Sequence, residues 1–319
     1  MGTRYILAWF LMAGIIFPSA GPAAVTGADN PLAFTPGDNG EYRFDTGVLR
    51  GVLRPDGKSR GLSSVVHVPS GTRLDRGVGI VSHYRVFTAG KRYGPAAWSW
   101  PGTAQLRADG TVRTTWPATP DRPFEMTALY RWADPQTLDV ETTVTAREDL
   151  SDFESFLASY FDEAFPSPYV SVQPPGGEIR LSFLLGEKSL GDWLMFTTNG
   201  SGHYGLIRDG RWTIEPHPVE WTILPRLAGP LCFRRGRDHE LTVILMATDC
   251  FAVAMPYEGE AHYSLYLSLF GHHVKAGKTA TASTRFVVAS NVTDRQVRRL
   301  YHRYTKQMRL DRRRGRESR

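Results

Sequence analysis

From residue 47 to residue 288 the chain is a succession of short runs rich in Val, Ile, Thr, Tyr, Phe and Trp, broken at close intervals by Gly, Pro, Asp or Asn. Runs of that kind form strands, and turn residues at that spacing fold them into sandwiches or barrels. The reading predicts strands over 47–54, 62–68, 78–87, 124–132, 137–146, 178–185, 193–198, 241–246, 262–269 and 279–288. In 137–144 (TLDVETTV), Leu138, Val140, Thr142 and Val144 fall on one side and Asp139 and Glu141 on the other, so one face is buried and one is wet or lines a groove. Two Asp-Gly pairs, Asp109-Gly110 and Asp209-Gly210, stand between alternating runs. Glycine accepts the positive φ of a tight turn, so each pair predicts a hairpin.

One helix is strongly written. Thr293 can cap a first turn, Asp294 suits the positive end of its dipole, and Val297, Leu300, Tyr301, Tyr304 and Met308 then recur at helical spacing. Its basic remainder, Arg298, Arg299, Arg303 and Lys306, reads as a solvated face. Neither a repeat nor a long linker divides the chain, so 40–308 is expected to be one all-β domain with a C-terminal helix.

Both ends differ from this body. Residues 1–24 carry one charge, Arg4, then an apolar run from Ile6 to Phe17 and a string of small residues, which is the outline of a secretory signal peptide. The expectation is a secreted or periplasmic protein with no transmembrane segment after cleavage. Residues 25–39 are expected to be a flexible leader, and 309–319 (RLDRRRGRESR) a basic disordered tail. That tail holds six Arg against one Asp and one Glu, and so accounts for most of the net charge of +6. The body is left nearly neutral, with no basic field for nucleic acid. Cys232 and Cys250, the two cysteines, form either one bridge or two separate buried thiols. If Arg234–Asp238 is a symmetric hairpin turn, Cys232 comes near Leu241 rather than Cys250.

The sequence lacks the G-x-S-x-G elbow, the P-loop, H-E-x-x-H and C-x-x-C. His272 and His273 are adjacent, and neighbours on a strand point to opposite faces, which argues against a shared metal. No cofactor is expected, although calcium held by scattered carboxylates and carbonyls leaves little trace in a sequence and stays open.

What is present is a concentration of aromatic, His, Arg and carboxylate residues in four segments. The first holds His83, Tyr84, Arg85, Arg92, Tyr93, Trp98 and Trp100; the second Glu154, Phe156, Ala158 and Tyr160, which share one face if the segment is a strand. The third, 212–221, holds Glu215, His217, Glu220 and Trp221, with His203 shortly before it; the fourth holds Glu258 and His262. Such mixtures suit sugars, because aromatic faces stack on pyranose C–H faces while polar groups bond the hydroxyls. Taken singly, Tyr84, Phe87, Trp98 and Trp100 read first as sandwich core, since aromatics supply much of a β core's buried area. The candidate catalytic groups are His83, Tyr84, Arg85, Glu154, Glu220, Glu258 and His262. The candidate sugar-binding groups are Arg92, Tyr93, Trp98, Trp100, Tyr160, His203 and Trp221.

Three stretches carry a family resemblance: 123–132 (PFEMTALYRW) followed by 137–142, 156–161 (FLASYF), and 275–280 (KAGKTA) followed by 284–288 and a helix. Their order resembles the galactose mutarotase-like β-supersandwich, a two-sheet antiparallel fold of aldose epimerases, polysaccharide lyases and glycosidase accessory domains. The resemblance implies a concave groove for a saccharide. It also places Ala158 where the epimerases carry a catalytic histidine and Lys278 near their carboxylate base, so aldose epimerisation is disfavoured. Other chemistries remain: Glu154 with Glu258 for glycosidic cleavage, or His83 with Tyr84 or Arg85 for β-elimination from a uronate. The leading expectation is an exported carbohydrate-binding or carbohydrate-processing protein. The alternatives are a glycoside hydrolase or lyase, and a non-catalytic module that docks an envelope partner.

Overall fold

The alternation at 137–146 sets which side of the chain turns inward. In the computed structural model, which describes residues 32–54, 61–174, 181–198, 202–224, 227–238 and 240–317, the strand Thr137–Ala146 buries Leu138, Val140, Thr142 and Val144 and exposes Glu141. It lies inside a nine-stranded sheet of order Ser182–Leu185, Ser167–Val172, Leu227–Arg235, Leu241–Ala247, Thr279–Ser290, Thr137–Ala146, Phe124–Asp134, Val112–Trp116 and Thr103–Leu106. A seven-stranded sheet runs Thr222–Leu224, Trp193–Thr197, Cys250–Pro256, Ser264–Val274, Leu150–Tyr160, Ser82–Thr88 and Lys91–Arg92. A five-stranded meander, Thr35–Pro36 to Thr72–Arg73, precedes both. The architecture is the expected antiparallel β-sandwich with a C-terminal helix.

The two large sheets share a core. Phe124 of one meets Phe153 of the other edge to face at 5.1 Å, and Met126, Tyr130, Val140 and Phe286 pack in the same cluster as Val86, Leu157, Leu265 and Leu267. Part of the outer face of each large sheet is covered as well. On the nine-stranded sheet, Val297, Tyr301 and Tyr304 of the helix Asp294–Glu317 lie on Leu231, Phe233, Ile244, Met246 and Val287. This double coverage explains why Leu241–Ala247 is buried at every position rather than at alternate ones. The helix approaches closely at Gly229, where a Cβ would stand 2.3 Å from the Tyr301 hydroxyl. Its start is a reciprocal cap: the Gln296 side chain accepts from the Thr293 N–H at 2.8 Å, and the Gln296 N–H reaches back to Thr293 Oγ1 at 3.4 Å.

Several local expectations change. The helix does not end at Met308 but runs on to Glu317, because extending an existing helix is far cheaper than starting one. Arg309, Leu310 and Asp311 on this extension are exposed, so truncation after Met308 is expected to shift the melting temperature by no more than a few degrees. A larger loss in thermal unfolding would show that the extension packs. Within 25–39, the part from residue 32 onward is anchored: Phe34 is buried, packs on Phe44 at 5.9 Å and Trp132 at 6.1 Å, and donates its N–H to the Gly110 carbonyl. The expected signal peptide lies outside the described residues.

Asp109-Gly110 does join a hairpin, Thr103–Leu106 with Val112–Trp116. Asp209-Gly210 does not. It follows the helix Gly202–Arg208 and precedes the turn Arg211–Thr213, with Gly210 at φ 93° ending the helix in the left-handed region. The segment packs through Leu206, Ile207 and Trp212 on the outer face of the seven-stranded sheet instead of forming a hairpin. In the hairpin after Arg235 the turn extends to Glu240, so Cys232 pairs with Leu245 rather than lying near Leu241. Cys232 and Cys250 stand on different sheets as separate buried free thiols, each pushed up in pKa by burial.

Candidate saccharide site

The site begins with an irregularity in strand Ser82–Thr88. Strict alternation would send Tyr84 and Arg85 to opposite faces. Arg85 pairs with Phe156, however, and His83 with Leu157, which leaves Tyr84 as an extra residue in a β-bulge. The bulge turns His83 and Val86 into the sandwich core and leaves Tyr84 and Arg85 together on the outer face.

Three guanidinium groups then fasten the segment from Asp209 to His217 across that face. Arg211 donates to both Asp209 oxygens, to Glu154 Oε2 at 3.1 Å and to the Asp152 carbonyl at 3.0 Å. Arg92 Nη1 donates to the carbonyls of Ile214 at 2.9 Å and Pro216 at 2.5 Å, and Arg85 Nη2 to that of His217 at 2.6 Å. The segment thereby lays Trp212 beside Phe156, ring centroids 4.7 Å apart, and beside Trp221 at 5.2 Å. Next, Thr222–Leu224 pairs in parallel with Trp193–Thr197, which brings Trp193 to Trp221 at 6.0 Å.

The third wall comes from Tyr160, Tyr266 and His262. Tyr266 stacks on Phe156 at 4.7 Å and accepts a hydrogen bond from Ser264 Oγ at 2.8 Å. Burial pushes the Tyr266 phenol up to about 12 and raises that of Tyr160 as well, so both serve as neutral hydrogen-bonding groups. His262 is held by Glu260, Nδ1 to Oε1 at 2.7 Å, and lies 5.5 Å from the Trp193 ring. These walls enclose an open cavity of ≈ 730 Å³, a size that accepts a small ligand.

Of the residues singled out from the sequence, Tyr84, Arg85, Tyr160, Glu220, Trp221 and His262 line this cavity. Trp98 backs it, stacked on Tyr84 at 4.3 Å with the rings 2° from parallel. Arg92 braces its loop through backbone carbonyls. The others lie elsewhere. His83 is fully buried between the sheets, bonded to Thr142 Oγ1 at 2.9 Å, and desolvation lowers it to about 3. It therefore cannot act with Tyr84 or Arg85 in an elimination. Glu154 is on the expected face with Phe156, Ala158 and Tyr160, but it is sealed beneath Arg211 at 1% exposure, while Glu258 sits exposed at a turn. These two do not form a carboxylate pair across the cavity. Tyr93 and Trp100 are core residues against Phe124, and His203 bonds Thr198 Oγ1 on the helix Gly202–Arg208.

The cavity also recruits Trp193, Trp212, His217 and Tyr266. Trp212 and His217 belong to the aromatic and charged segment 212–221. Trp193 and Tyr266 read only as strand residues, since nothing local distinguishes an outward from an inward aromatic. Ala158 is fully buried in the apolar cluster beneath the cavity, with Phe156 and Tyr266, and carries no group that moves a proton. Lys278 is exposed in the turn that leads into Thr279–Ser290.

No protein-family model matches the sequence, and no curated protein is similar to it. Solved structures do match. The Slr1438 protein of Synechocystis sp. PCC 6803 is similar at 13% identity and a TM-score of 0.50, over 82% of this chain and 99% of its own. A galactose mutarotase related enzyme from Lactobacillus acidophilus is similar at 12% identity and a TM-score of 0.50, over 80% and 98%. At such identities the likeness is one of fold, and the chain has the galactose mutarotase-like fold.

Proposed function

We propose that this is an exported protein that binds a saccharide in the cavity on the outer face of the seven-stranded sheet. The carrying observation is the lining itself: half-buried Tyr84, Trp193 and Trp221 bring aromatic surface beside Arg85, Glu220, His262 and two neutral phenols, with buried Trp212 beneath them. Aromatic faces and fixed polar groups around one cavity are what a pyranose needs, with its apolar C–H faces and ring of hydroxyls. The fold shared with a galactose mutarotase related enzyme supports a sugar as ligand, and the leader-like N-terminus supports export to the periplasm or beyond. The reading is binding rather than aldose epimerisation, because Ala158 carries no acid–base group.

A glycan array identifies the ligand, and Trp221→Ala tests the site. Loss of one stacking and burial contact is expected to weaken binding by about 1–3 kcal/mol, with the circular dichroism of the fold retained. Polarimetry with galactose and glucose is expected to show no interconversion above the buffer rate. Unaltered affinity in a folded Trp221→Ala protein would move the sugar out of this cavity.

A further inference from the structure

We infer that the saccharide carries an anionic group, a carboxylate, sulfate or phosphate, that lies against Arg85; this rests on the saccharide reading above. Arg85 lines the cavity yet is only 3% exposed. Its Nη2 donates to the His217 carbonyl at 2.6 Å and to the Tyr84 hydroxyl at 3.4 Å, but Nε and Nη1 are buried without a partner. Among the described residues no carboxylate forms an ion pair with it. What surrounds the charge instead is two ring faces, Tyr84 at 5.0 Å and Trp212 at 5.2 Å.

That is an incomplete environment for a buried cation. Ring faces compensate only part of the hydration a guanidinium loses, and buried charges are ordinarily paired. The neighbouring arginines show what completion looks like: Arg211 has Asp209 and Glu154, and Arg92 has the carbonyls of Gly94, Pro95, Ile214 and Pro216. Arg92 adds a second positive charge close to Arg85, close enough that the two repel. The acidic groups near the cavity do not answer this charge. Asp192 is ion-paired with Lys188, Glu260 holds His262, and Glu215 and Glu220 are exposed. A neutral sugar would leave the Arg85 charge as it is, whereas an anionic one supplies the missing counter-charge where little water screens it.

The full chain contains tryptophans in the cavity wall, so tryptophan fluorescence follows titration directly. The probes are glucuronate and galacturonate, their uncharged amides, the parent hexoses, and the 6-sulfates and 6-phosphates of both. The expected result is at least one charged probe binding roughly tenfold or more tightly than its uncharged counterpart, the range for a charge-assisted contact. Which arm responds distinguishes carboxylate from sulfate from phosphate. In Arg85→Gln the preference should vanish, and in Arg85→Lys part of it should return. Because Arg85 also holds the His217 carbonyl, the charged and uncharged probes on the unaltered protein carry the test even if the variants fold poorly. Equal affinity for charged and uncharged probes would overturn the anionic assignment and leave saccharide binding standing. Absence of binding by every probe, together with an empty glycan array, would instead remove the saccharide reading itself.

Discussion

Replacing Arg211 with Met is expected to destabilise the fold by about 3–5 kcal/mol, the range for removing one partner of a buried ion pair. Arg211 and Glu154 have side chains 0% and 1% exposed. Burial raises the Glu154 pKa, and the attraction of Arg211 is the largest force opposing that rise. Without Arg211 the folded protein should hold a proton on Glu154 to still higher pH. A carboxyl with a raised folded pKa favours the native state at low pH and costs stability as pH rises toward that folded value. The variant should therefore be most impaired at alkaline pH and recover partly on acidification. Arg211 also ties down the segment that carries Trp212, so the same substitution should loosen the sugar binding proposed above. Urea unfolding at several pH values reads the first effect; a loss under about 1 kcal/mol would mean the pair contributes no more than an exposed one.

Acidification is expected to destabilise the unaltered protein through His83. Its folded pKa is about 3, against 6.5 when exposed, because the ring is wholly buried between the sheets. Between those values the unfolded chain binds a proton that the folded one refuses. The stability due to this group is complete above pH 6.5 and is lost as pH falls, by about 1.4 kcal/mol per unit and about 5 kcal/mol in all. His83→Gln removes the titration whatever it costs at neutral pH. The measurement is the slope of unfolding free energy between pH 6 and pH 4, with other groups common to both proteins cancelling. Parallel slopes for the two proteins would show that His83 is protonated in the folded state, and would reopen its exclusion from proton transfer.

The strands at 124–132 and 137–146 were legible because alternation is a local property: each residue's side is set by the pleat, and the buried side is marked by its apolarity. That Glu154, Phe156, Ala158 and Tyr160 share one face was legible from the same pleat, but not that this face turns outward, because the strand is buried on both sides. The roles given to His83 and Glu154 were not recoverable in this way. The bulge at Tyr84 is a mismatch of count between Ser82–Thr88 and Leu150–Tyr160, and it reverses the side of every residue on one flank of it. Glu154 looked like an accessible carboxylate because its partner, Arg211, is 57 positions away. The misread Asp209-Gly210 turn has the same origin, since local φ preference identified the glycine but not the helix it ends.

From its sequence alone this protein is an all-β sandwich closed by one C-terminal helix, with sugar-compatible chemistry concentrated in a few segments. Periodicity, caps and side-chain type determine that much, because they act over one to four residues. Which of those side chains share a cavity was decided by the tertiary structure. Tyr84 and Arg85 meet Trp212 and His217 through guanidinium bonds to a distant loop, and Trp193 meets Trp221 through one parallel pairing. The burial that leaves Arg85 without a counter-charge, and holds His83 neutral, exists only once both faces of the seven-stranded sheet are covered. Desolvation depends on every neighbour in space, and no short window of sequence contains them.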